Sequence, residues 1–233
     1  MAILHSEHEK GCPTWNISAI DWNRDRALQM LQTWKRILHL TTPTLYAKGA
    51  RIFREGDFDR HVLLVADGWV LLTCDLPTGD VGVLGLRFIG QFLDHCSCSN
   101  GRPHAFSAYS VNGCAVYRVE ENSFRTSVFH DPEGSALLQE AVQIDLYNAA
   151  VSIMQLKVLS PEERLRKFLK FVASVLGVTS KRESLRIPFA LRDDQLAALL
   201  GLSCRQFKRI KKHMHDTGQL SWQDHSYILN DAR

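Results

Sequence analysis

The sequence predicts an α+β chain in which an N-terminal antiparallel β-roll of the jelly-roll type is followed by one long helix and then by a C-terminal winged helix-turn-helix. Three observations carry that reading. Residues 46–119 break into short apolar or alternating runs punctuated by Gly, Pro and Asp, and short strands at close spacing close into a roll or barrel. From Ser135 to Leu159 only Glu140, Asp145 and Lys157 are charged in 25 positions, and apolar residues recur there at helical spacing. The net charge of +3 hides an asymmetry: residues 160–233 hold 14 Lys or Arg against 8 Asp or Glu, whereas residues 1–159 hold 14 against 17. A basic end on an otherwise mildly acidic chain points to an anionic partner for that end alone.

Residues 17–40 place Ile20, Ala27, Leu28, Leu31, Trp34, Ile37 and Leu38 at helical spacing, which predicts an amphipathic helical segment packed on the roll. Trp15, Trp22 and Trp34 are read there as core residues rather than ligand contacts, since a large ring gains most from burial. Within the roll the expected strands are 51–53, 62–66, 69–74, 81–86, 106–111 and 115–119, with turns at Asp67-Gly68 and Gly79-Asp80.

Pro132-Glu133-Gly134 opens the long helix. Val142, Leu146, Ala149, Ile153 and Leu156 form one stripe in a 4-3-4-3 spacing, and Leu137, Ala141, Ile144 and Val151 form a neighbouring one. One stripe suffices to pack a helix on its own domain; a second implies another surface, which a parallel copy across a two-fold axis supplies. A homodimer is therefore expected, although a helix buried within a monomer has the same periodicity. Ser160-Pro161 with Glu162 and Glu163 starts the next helix, which ends at Gly177. A polar linker follows over 179–184, then a brief strand at 186–189. The chain thus divides into an N-terminal helical segment (1–45), a roll (46–132), a long helix (133–159) and a winged helix-turn-helix (160–233).

In the last part, Asp193 and Asp194 cap a helix whose apolar face, Leu196, Ala197, Leu199 and Leu200, stops at Gly201. Ser203 then caps a second helix with Phe207, Ile210 and Met214 on one face and Arg205, Gln206, Lys208, Arg209 and Lys212 on the other. Two helices joined at a glycine turn, the second with a basic outer face, suit insertion into a DNA major groove. Residues 220–222 and 227–229 flank a polar turn as a hairpin wing does. Arg205, Gln206 and Arg209 can form bidentate bonds to base edges, while Lys208, Lys211 and Lys212 are expected mainly on phosphates.

The whole order resembles the Crp/Fnr family of bacterial transcription regulators over residues 45–230. The run KGARIFREGD at 48–57 and LVADGWV at 64–70 are similar to the family's roll signatures, and ERLRKFL at 163–169 to its post-dimer helix. Many members read Ser-Arg-Glu-Thr-Val-x-Arg in the reading helix; here SCRQFKR stands at 203–209. Ser203 and Arg209 match, whereas Cys204, Arg205 and Gln206 depart, which implies a different operator. The resemblance implies a cyclic-nucleotide-binding-like sensor, a homodimer on a pseudo-palindromic site in double-stranded DNA, and RNA polymerase as a further partner where the protein activates.

In the nucleotide-binding branch a Gly-Glu pair takes the ribose and an Arg-Ser or Arg-Thr pair the cyclic phosphate. Here Gln91 replaces the acid, and His104-Ala105 follow Pro103 where Arg-Ser is expected. Unpaired phosphate charge in a partly buried pocket costs several kcal/mol, so tight binding of cAMP or cGMP is not expected. Cys12 is the only cysteine near the N-terminus, which does not support a four-cysteine iron–sulfur cluster. His95, Cys96, Cys98 and His104 are metal-capable side chains close in sequence; they fit a haem, metal or thiol sensor, and equally a polar loop that happens to carry cysteines. A cupin-like metalloenzyme is disfavoured because the roll lacks a His-x-His pair. A protein-binding sensor module without DNA binding is the remaining rival. The charged start MAILHSEHEK and the absence of a long apolar run predict a cytoplasmic protein without a membrane span.

Overall fold

Alternating burial along two long strands builds the N-terminal half. The computed structural model describes residues 23–94, 102–178, 184–188, 191–223 and 226–230. In chain order the elements are α1 (Arg24–Ile37), β1 (Thr44–Tyr46), β2 (Arg51–Phe53), β3 (His61–Asp75), β4 (Val81–Arg87), β5 (Ser107–Glu120), α2 (Glu121–Phe129), α3 (Pro132–Val158), α4 (Pro161–Leu176), β6 (Ser184–Pro188), α5 (Asp193–Leu199), α6 (Cys204–Asp216), β7 (Leu220–Gln223) and β8 (Ser226–Asn230). The expected α+β class holds.

The roll is an antiparallel sheet ordered β1-β5-β3-β4, with β2 also on β5. Asp67-Gly68, read from the sequence as a turn, instead lies inside one continuous strand, and the two runs expected over 106–119 likewise fall in one strand, Ser107–Glu120. The reason lies in parity. Leu63 and Val65 share the inner core of the roll with Val70 and Leu72, while Val62, Leu64, Trp69 and Leu71 join the outer core. Inward positions are odd before Gly68 and even after it, so the strand needs a bulge to keep one face inside. The ladder with β5 shifts register between Val65 and Asp67 and again between Gly68 and Val70. Gly68 is obligatory there: its φ is +78°, and a Cβ would lie 2.3 Å from the Gly113 carbonyl oxygen. The turn at Gly79-Asp80 forms between β3 and β4, with the Thr78 hydroxyl on Asp80.

Trp34, fully buried on α1, packs edge-on against Phe92 at 4.9 Å and lies 6.5 Å from Phe124 of α2. It is a core residue, as its spacing implied; Trp15 and Trp22 lie outside the described residues. Ile144 and Val151 bury one face of α3. α4 starts in a capping box, with Ser160 and Glu163 each bonding the other's backbone, and stops at left-handed Gly177. Among the described residues no helix is long and apolar enough to cross a membrane.

Candidate nucleic-acid interface

The C-terminal unit is assembled around an apolar seam that belongs to the same buried cluster as the core of α1 and the roll. Leu196 and Ala197 of α5, Phe207, Ile210 and Met214 of α6, Leu220 of β7, Ile187 of β6, and Tyr227 and Leu229 of β8 are all buried in it. β6, β8 and β7 form a three-stranded sheet in that order, so the brief strand after the linker completes the wing, a pairing that local spacing does not reveal. α5 begins one residue earlier than its acids suggest: Arg192 is the N-cap, and its guanidinium holds Asp194 through two bonds of 3.0 and 2.8 Å. The turn between the helices closes with the Leu202 N–H donating to the Ala197 carbonyl. Gly201 sits in it at φ +65°, and a Cβ there would lie 2.6 Å from Leu156 of α3. The glycine lets the long helix abut the turn.

α6 starts as the sequence implies. Ser203 Oγ accepts from the Gln206 N–H at 3.2 Å, and Gln206 Oε1 accepts from the Ser203 N–H at 2.9 Å and from its hydroxyl. That capping box occupies the amide oxygen of Gln206 and leaves its amide nitrogen for a base. With Phe207, Ile210 and Met214 buried, the helix is fixed in rotation, and Arg205, Lys208, Arg209 and Lys212 stand exposed along the other side. Among the described residues none of these four has an ion pair, so their charge is available to a ligand.

Lys211 is different. Its Nζ donates to Asp193 Oδ1 of α5 at 2.9 Å and lies 4.6 Å from the Trp222 ring and 5.3 Å from the Tyr227 ring of the wing. Only 15% of the side chain is exposed. Burial works against its charge, but the bond to Asp193 and the neighbouring Tyr227 outweigh it and hold the ammonium above the ordinary lysine pKa. Burial likewise pushes the Tyr227 hydroxyl up. Arg166 of α4 reaches Gln219 Oε1 at 2.6 Å and the Asn230 carbonyl at 3.4 Å, tying the preceding helix to both ends of the wing.

Along α3 the two stripes part company. Ile144 and Val151 are buried, with Leu137 and Ala141 packed beside them, whereas Val142, Leu146 and Ile153 are 43%, 72% and 55% exposed and Ala149 is also open. Leu156, placed by spacing in the same stripe, is half exposed and meets the Gly201 turn.

In the roll, Gln91 Oε1 accepts from the Phe88 N–H at 2.9 Å, so the residue standing for the family's acid closes its own turn. His104 is buried: its Nδ1 lies 3.0 Å from the buried Asp94 carboxylate, its ring stacks on Phe53 at 3.9 Å, and its Nε2 has no partner among the described residues. A cyclic phosphate there would face Asp94, while Arg102 is exposed. Calorimetry with cAMP or cGMP is accordingly expected to detect no binding tighter than about 1 μM; submicromolar affinity would overturn this reading of the pocket. His95, Cys96 and Cys98 lie outside the described residues, among which no three His, Cys, Asp or Glu cluster to hold a metal.

Residues 43–131 match the family described as cyclic nucleotide-binding domain. The chain is similar to the nitrogen fixation regulation protein FixK of Azorhizobium caulinodans, at 26% identity over 185 residues that span 78% of this chain and 72% of FixK. Among solved structures, the fold is similar to TTHB099, a CRP-family transcriptional regulator of Thermus thermophilus (TM-score 0.69, 14% identity, 81% of this chain and 92% of that one). It is also similar to FixK2 of Bradyrhizobium japonicum (TM-score 0.68, 19% identity, 82% and 93%).

Proposed function

We propose that this chain, which belongs to the Crp/Fnr family of transcription regulators, acts in the cytoplasm as a homodimer that reads a pseudo-palindromic DNA site through α6. One observation carries the reading: a capped, rotationally fixed helix presents Arg205, Lys208, Arg209 and Lys212 exposed and unpaired among the described residues, beside a glycine turn and a wing. Two such helices related by a dimer axis enter successive major grooves about 34 Å apart. The bare stripe Val142, Leu146, Ala149 and Ile153 supports the axis, and the abutment of Leu156 on Gly201 supports a route by which a shift of α3 resets the spacing of the two readers.

The test is a mobility shift with random genomic fragments, followed by sequencing of what is retained. A shared two-fold motif is expected. Retention without a common motif, or no retention, overturns the reading, and the latter outcome favours a protein-binding module. On the site so found, Lys212→Ala is expected to weaken all sequences alike and to flatten the slope of log affinity against log salt by about 1, as loss of one phosphate contact does. An unchanged slope in a fluorescence-anisotropy salt titration removes Lys212 from the phosphate set.

A second reading, the same regulator switched by a haem, metal or thiol group, is favoured by His104, whose ring is oriented by Asp94 while Nε2 stays unpartnered among the described residues. An absorbance spectrum and metal analysis of protein purified without oxygen decide it: a haem band or stoichiometric metal supports it, and a featureless, metal-free protein discards the haem and metal forms.

A further inference from the structure

We propose that Lys211 is a positioning residue for DNA reading rather than a phosphate contact, pinning α6 at once to α5 and to the wing. The inference rests on the DNA-binding reading of α6. Lys211 lies four residues after Phe207 and three before Met214, both fully buried, so its stem follows the apolar seam and not the exposed row. Its ammonium meets Asp193, the first residue of α5, at 2.9 Å, and it lies over the rings of Trp222 in β7 and Tyr227 in β8. One cation therefore joins three parts that no backbone ladder connects to one another: the first helix, the reading helix and the β7-β8 hairpin of the wing. Trp222 is half exposed and also packs on His215 of α6 at 4.8 Å, so the wing's position depends on this cluster from two sides.

The two roles for Lys211 predict opposite results. If the ammonium is a pin, Lys211→Met keeps the stem, loosens the angle between α6 and its neighbours, and costs affinity for the specific site while random DNA is held as before. The ratio of specific to random affinity falls by about tenfold or more, and the salt slope is unchanged. Asp193→Asn has the same effect, because it removes the other half of the pin. If Lys211 instead contacts phosphate, Lys211→Met weakens all DNA alike and lowers the salt slope by about 1, and Asp193→Asn tightens binding by releasing the ammonium. Those results overturn the proposal.

A thermal-unfolding cycle on the full chain keeps the pin testable without DNA. Both single variants are expected to melt below the unsubstituted protein, and the double variant at the temperature of the worse single, because the second substitution has no pair left to break. Additive losses overturn the pin. Failure of the unsubstituted protein to retain any DNA overturns the proposed function instead, and leaves this cycle to decide what Lys211 does.

Discussion

Arg209→Ala is expected to weaken binding to the selected site by about 1–3 kcal/mol, roughly 5- to 150-fold, and to relax discrimination at one base pair in each half-site. The expectation follows from how α6 is held. Phe207, Ile210 and Met214 are buried at 0%, 4% and 0% exposure, so the helix cannot roll to compensate for a lost side chain. Arg209 stands on the opposite side, exposed and with no ion pair among the described residues, so its guanidinium gives up no protein partner on meeting a guanine. A planar fork of donors matches the two acceptors on the guanine edge, and a missing fork leaves them unpaired in a partly dehydrated groove. The measurement is anisotropy with the selected site, with single-base variants of it, and with random DNA. The substituted protein should bind the selected site and one particular single-base variant nearly alike. An equal loss on random DNA would make Arg209 a phosphate contact.

How much of this was legible in advance depended on the range of the interaction. The capped start of α6, the glycine exit of α5 and the box at Ser160 are local, set by a few neighbouring residues, and spacing reads them directly. The merger of four expected strands into β3 and β5 is not local. A Gly next to an Asp signals a turn in isolation, and only the partner strand, whose backbone passes 2.3 Å from where a Gly68 Cβ would be, converts that signal into a bulge. Lys211 lies between these cases. Its four-residue offset from Phe207 is a local signal for the buried side of α6 that the expectation of a phosphate contact passed over, and its partner Asp193 and the rings of Trp222 and Tyr227 come from other elements. Composition alone made it one more cation in a basic run. Gln206, expected from the sequence only as a base reader, has its oxygen held by the cap.

Leu146→Glu is expected to convert the proposed dimer to a monomer and to remove high-affinity binding to the proposed two-fold site, by about 10²- to 10⁴-fold. Leu146 is 72% exposed while Ile144, two residues away on the same helix, is 3% exposed, so the substitution leaves the packing of α3 on the roll intact. In a parallel pair about a two-fold axis the same residue from each copy lies close to the axis. A glutamate there confronts its own twin, and burying two like charges without partners costs several kcal/mol. Each copy would keep its α6 and its reading chemistry, but a lone α6 grips one half-site, and the second half-site no longer binds as an intramolecular event. Sedimentation velocity reads the first effect and a mobility shift the second, while circular dichroism of the variant should match the unsubstituted protein. A variant that still sediments as a dimer would mean that the bare stripe of α3 is not the axis; a monomer that keeps full affinity would mean that the site is read by one copy alone.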